Sequence, residues 1–128
     1  MSAAALRARY LTDSVTTASP ARLLVMLYDR LALDLERAEA AVLEKNRVEA
    51  SEQLQHAQEI LLHLRSSLNV DVWEGGPRLA ALYGWLVSEL IDANVKQDAG
   101  KVAACRRVVA PLHEAWQEAA EVVLSGRG

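Results

Sequence analysis

The stretch Ser-Pro-Ala-Arg-Leu-Leu-Val-Met-Leu-Tyr-Asp at residues 19–29 constrains this chain more than any other. Ser19 offers a side-chain oxygen to the unpaired amides of a first helical turn, and Pro20 at the first helical position loses nothing by lacking an N–H. A helix therefore starts here. From Leu23 to Tyr28 every residue is apolar, and at 3.6 residues per turn this run carries hydrophobic surface beyond the usual one-sided stripe. Such a helix either buries two faces or presents one of them to a partner.

The rest of the chain repeats the helical period. Leu24, Leu27, Leu31, Leu35, Ala38 and Val42 make a continuous face over residues 20–44. Asn46 with Glu49 reads as a capping box opening a second helix, 47–68, whose inward face is Ala50, Leu54, Ala57, Leu61, Leu64 and Leu68. Gly75-Gly76 reads as a turn, and Pro77 suits the start of a third helix, 77–97. Leu79, Leu82, Tyr83, Leu86, Leu90 and Ala93 share one side of it, while Trp85, Val87 and Ile91 widen the apolar sector. Asp98 is placed to cap a fourth helix, 99–124, with Val102, Cys105, Val109, Leu112, Trp116, Ala119 and Val123 along its seam. Pro111 within it lacks an N–H and crowds the carbonyl four residues back, so a kink or break near Val108 is expected.

No Val/Ile/Thr-rich alternation of useful length appears, and 128 residues suffice for one core without disulfides or metal. The predicted fold is all-α: an antiparallel up-and-down four-helix bundle over residues 19–128. A short N-terminal arm, residues 1–18, precedes it, with Leu6 and Tyr10 on one side.

The 17 acidic and 14 basic side chains are interspersed, leaving no basic stripe to hold a phosphate backbone, so nucleic acid is not expected as a partner. No apolar run approaches membrane-spanning length and no signal-peptide core is present, which points to the cytoplasm without membrane insertion. Cys105 is the lone cysteine, on the seam, and reads as a small core residue with nothing in sequence to activate it. Nucleophile elbows, phosphate loops and zinc spacings are absent, so neither catalysis nor a cofactor is expected.

The stripe Glu52, His56, Glu59 and His63 on the outer face of the second helix is the single candidate for a metal-dependent bundle enzyme. Its Glu-to-His spacing of four, outward rather than inward, reads as a solvated face and not a metal site. What stands out is apolar surface on the first and third helices in excess of one core's needs, which suits a helix or extended chain from a partner. Pattern alone leaves open a binding groove, plain core, or a self-associating structural bundle.

The residues also resemble a known family, the flagellar secretion chaperones of FliS type. Ser19-Pro20 followed by Leu23-Leu24-Val25-Met26-Leu27-Tyr28-Asp29 is similar to that family's Ser-Pro-x-x-Leu-Leu-x-Met-Leu-Tyr-Asp signature. Tyr10, Ala57-Gln58 with Ile60, Ser67-Leu68, Gly75-Gly76, Leu82-Tyr83 and Ala93-Asn94 with Asp98 follow in matching order. Arg30 stands where the family commonly has Gly, and Asn69 where it often has Asp.

The resemblance implies a cytoplasmic export chaperone. It would bind the disordered C-terminal segment of flagellin, block premature polymerisation and dock, when loaded, on the flagellar export gate. It further implies that the N-terminal arm covers the same groove in a free, monomeric protein. The residues expected to contact flagellin are Tyr10, Leu24, Leu27, Tyr28, Tyr83, Leu90, Ile91 and Asn94. Of these, Leu24, Leu27 and Leu90 are expected to serve the core as well, and Tyr28, Tyr83 and Asn94 to form a rim.

Overall fold

The computed structural model describes residues 2–4, 20–68, 71 and 74–126. Most of the N-terminal arm, including Leu6 and Tyr10, lies outside these residues, as do the cap at Ser19 and the departure at Asn69. The bundle consists of α1 (Pro20–Leu43), α2 (Arg47–Ser67), α3 (Gly76–Lys96) and α4 (Ala99–Leu124), and no strand occurs among the described residues. The predicted boundaries differ by one residue at four of the eight helix ends. α1 ends at Leu43, α2 ends at Ser67, and α3 runs from Gly76 to Lys96.

Each helix packs on the two beside it, α1 on α2 and α4, α3 on α2 and α4. Cross-helix pairs give the direction: from Asp29 to Glu39 along α1 the partners on α4 run backwards, from His113 to Arg106. Tyr28, Leu31 and Leu35 of α1, Leu54 and Leu61 of α2, Leu86 and Leu90 of α3 and Val102 and Val109 of α4 are all buried in one core. Burial of such aliphatic side chains contributes on the order of 2 kcal/mol each, which is what holds helices of this length together.

The two tight corners share one construction. Lys45 adopts a left-handed conformation (φ 62°), its N–H donates to the Val42 carbonyl, and the Asn46 N–H donates to Ala41. Gln97 does the same (φ 51°), donating to Asn94 while Asp98 donates to Ala93. Both are Schellman closures that satisfy the last carbonyls of one helix. The residue that completes each closure then caps the next helix. Asn46 Oδ1 accepts from the Glu49 N–H at 3.2 Å and Asp98 Oδ1 from Lys101 at 3.0 Å.

The capping box is therefore only half formed. The Asn46 N–H is committed to Ala41, and the Glu49 carboxylate accepts from Gln53 instead of reaching back. The two corners meet at one end of the bundle, where Ala41, Val42 and Ala50 pack with Ala99.

Two other expectations need correction. Of the kink or break expected near Val108 the break does not occur, since α4 runs through Pro111; Pro111 is exposed, so its ring points away from the core and the turn survives the loss of one hydrogen bond. Gly76 belongs to α3 rather than to the preceding turn, with Gly75 at the N-cap and Pro77 inside the first turn. Cys105 is buried as expected, and burial with Glu89 nearby pushes its thiol up to about 11, which keeps it unreactive at neutral pH.

Candidate functional site: an apolar groove at the open end of the bundle

At the end away from the corners the helices enclose a cavity of about 630 Å³. Leu23, Leu24 and Leu27 come from the first turns of α1, and His63, Leu64 and Leu68 from the end of α2. Leu79 and Tyr83 come from the start of α3, and Trp116, Ala119, Ala120, Val122 and Val123 from the last turns of α4. Ala4, from the described N-terminal residues, also lines it. The local cause is the apolar run at 23–28: Leu31 and Leu35 further along α1 are fully enclosed, whereas Leu24 and Leu27 are only partly buried because none of the helices α2–α4 covers their outer side. Leu23 (45% exposed) and Met26 (52%) extend the apolar surface past the mouth.

The floor is polar at one point. Tyr83 Oη and Tyr28 Oη lie 2.5 Å apart, joining α3 to α1 across the diagonal of the bundle. The Trp116 side chain also hydrogen-bonds Tyr28. Burial raises both phenols above their ordinary value, and for Tyr83 the neighbouring Tyr28 adds to the rise, so both stay neutral and able to donate. Behind Tyr28 the His113 ring lies nearly parallel to it at 6.3 Å between centroids, held by Nε2 to Asp29 Oδ1 at 2.5 Å.

The structure divides the sequence-predicted contacts. Leu24, Leu27 and Tyr83 come together in the groove. Tyr28 does not form a rim: it is fully buried, and Tyr83 is almost so, because each hydroxyl finds its partner inside the bundle rather than in solvent. Leu90 is fully buried in the core. Asn94 lies three turns along α3 from Tyr83, about 16 Å by helical rise. Its amide donates to Ser51 Oγ at 3.3 Å and its Oδ1 accepts from Gln97 at 3.0 Å. Ile91, 49% exposed, belongs to that distant stretch of α3 and not to the groove. Tyr10 lies outside the described residues.

The contribution of α4 was missed, because Trp116, Ala119 and Val123 read as seam. Their 3-4 spacing runs on to Val123, close to the end of the longest of the four helices, and that is the available signal.

The metal stripe does not converge, and it is not a uniformly solvated face either. His56 is half-buried, its Nδ1 bonded to the carboxylate of Asp34, a fully buried residue that sequence reasoning passed over. His63, one helical repeat further on, turns into the groove. Among the described residues no group of three or more His, Cys, Asp or Glu side chains is arranged to hold a metal ion. Nor is any described helix long and apolar enough to cross a membrane.

With this geometry in place, comparison with known proteins decides the family. The family model described as flagellar protein FliS matches residues 2–123. The chain belongs to the FliS family. The flagellar secretion chaperone FliS of Bacillus subtilis (strain 168) is 31% identical to it over 110 residues, covering 86% of this chain and 82% of that protein. In this FliS chain the Arg30 departure is absorbed locally: Arg30 Nε donates to Asp34 Oδ1 at 2.8 Å, one turn along α1. The guanidinium and the His56 ring together satisfy a carboxylate that would otherwise be costly to bury.

Proposed function

We propose that this chain is a cytoplasmic flagellar secretion chaperone whose groove takes apolar side chains from the C-terminal segment of flagellin. The observation that carries this reading is the cavity of about 630 Å³, mostly apolar, on a bundle of the FliS family. A disordered segment that folds on binding must offset its ordering entropy by apolar area buried, and a groove lined by Leu23, Leu24, Leu27, Leu68 and Val123 offers that area. Occupancy is the mechanism. A flagellin end held in the groove cannot pair with another flagellin, so the chain stays unpolymerised and exportable.

In this reading residues 1–18 compete for the same surface, in keeping with Ala4 on its lining. The free chaperone is a monomer, and the loaded one docks on the export gate.

Calorimetric titration with the C-terminal segment of the organism's own flagellin tests the proposal. Tight binding with a negative heat-capacity change is expected. Leu23→Glu, at a half-exposed position that the fold does not need, should weaken binding by at least about tenfold by placing a charge under the segment. Removal of residues 1–18 should strengthen it. Unchanged affinity for Leu23→Glu would place the contact elsewhere.

A further inference from the structure

The described lining of the groove contains one histidine, His63. It is also the member of the outer stripe that reaches the groove. His56 serves Asp34, and Glu52 and Glu59 face solvent. The His63 imidazole is exposed and has no hydrogen-bond partner among the described residues; only its backbone carbonyl is used, accepting from Ser66.

We infer that His63 is the specificity determinant of the groove: it accepts an apolar segment while neutral and rejects it when protonated. This rests on the groove being the client site. Seating an apolar segment over His63 strips water from the ring, and desolvation opposes the charged form. No acid among the described lining residues offsets that penalty. From the register set by Asp34 and His56, His63 lies beside Leu27 of α1, with Leu23 one turn away. The nearest charge on α1 is Arg30, which is turned to Asp34. On α2 the nearest is Glu59, exposed, one turn before His63 on the side away from the groove mouth. The only ionisable group that α3 brings to the lining is the Tyr83 phenol, kept neutral by burial, while α4 presents Trp116 and small apolar residues. A protonated His63 under a seated segment would therefore find no counter-charge among the described lining residues.

By linkage, binding then expels a proton. Because the bound state disfavours the cation, affinity is full above the ring's titration range and falls as pH drops through it. A fall of one unit in the titration midpoint on binding corresponds to about a tenfold loss of affinity in acid.

The test uses the full chain and the flagellin C-terminal segment at pH 8 and pH 6, each in two buffers of different ionisation enthalpy, so that calorimetry counts protons. The parent should release protons at pH 6, release almost none at pH 8, and bind about threefold more weakly at pH 6 than at pH 8. His63→Gln, neutral and polar at an exposed position, should release no proton at pH 6 and lose its share of the pH dependence, each read against that variant's own affinity at pH 8. Proton uptake would mean that an acid on the client pairs with His63, and it would overturn the inference, as would release that persists in His63→Gln. Binding at pH 8 with no proton linkage would overturn this inference alone. No binding at either pH would overturn the client reading with it.

Discussion

The phenol pair at the groove floor shows how a single hydroxyl is positioned by partners that are distant in sequence. Tyr28 and Tyr83 are 55 residues apart and sit on diagonal helices, yet each hydroxyl depends on the other for burial. Removing the Tyr28 hydroxyl leaves that of Tyr83 buried and unpaired, which costs about 1–3 kcal/mol, whereas removing both leaves neither phenol to be satisfied. Tyr28→Phe is expected to cost more than Tyr83→Phe, because the Tyr28 hydroxyl keeps Trp116 as a second partner while that of Tyr83 has none in the network. The double variant should cost less than the sum of the two. Urea unfolding of the three variants measures this, and strictly additive losses would show that the hydroxyls do not depend on each other.

Asp34 belongs to the same scale and explains a gap in what the sequence could reveal. It lies between Leu31 and Leu35 at an inward position, where a carboxylate reads as an interruption. Its two partners are Arg30, one turn earlier, and His56 on the next helix. Periodicity locates a face, but it carries no information about which polar groups will pair once two faces meet.

Helices were the most legible level. Their limits are written in local chemistry: Asn46 and Asp98 as caps, Pro77 as an opener, and 3-4 apolar spacing between them. What escaped was whatever depends on how helices end relative to one another. The groove exists because α4, the longest of the four helices, continues its apolar seam to Val123, while Trp116 both packs against the core and lines the cavity. Conversely, Leu90 and Asn94 lie toward the corners, where the bundle is closed and the same apolar spacing produces only packing.

The two corners invite an element-level prediction. Lys45 holds a left-handed conformation that disfavours a side chain by about 1 kcal/mol, and Gly would adopt it freely. Lys45→Gly is expected to stabilise the bundle by about 0.5–1 kcal/mol in denaturant unfolding. Gln97→Gly should gain less, since the Gln97 amide also donates to Asn94, at 2.7 Å to its carbonyl. A loss of stability in Lys45→Gly would mean that the lysine side chain contributes more than its backbone conformation costs.

Across the whole molecule, order is unevenly distributed from end to end. At the corner end two Schellman closures, two caps and the Ala41, Val42, Ala50 and Ala99 cluster tie all four helices together. Lys101 adds ion pairs to Glu89 and Asp92 at 3.0 and 2.6 Å, and these pairs raise the lysine and lower Asp92. The groove end has partly covered leucines and a cavity instead. Amide exchange should therefore proceed by local opening in the last two turns of α4 and the first turn of α1, well below the free energy of global unfolding, and slow there when the flagellin segment binds. Uniform protection along α4 in the free chain would contradict this.

The paired corners carry one more consequence. Two hairpins hinged at a common end and loosely packed at the other form a sprung peg, with the pivot in the turns and the jaws at the groove. Such a device grips objects of somewhat different thickness with the same spring, so side chains of unequal bulk can be seated by a small change in jaw opening while the pivot keeps its form.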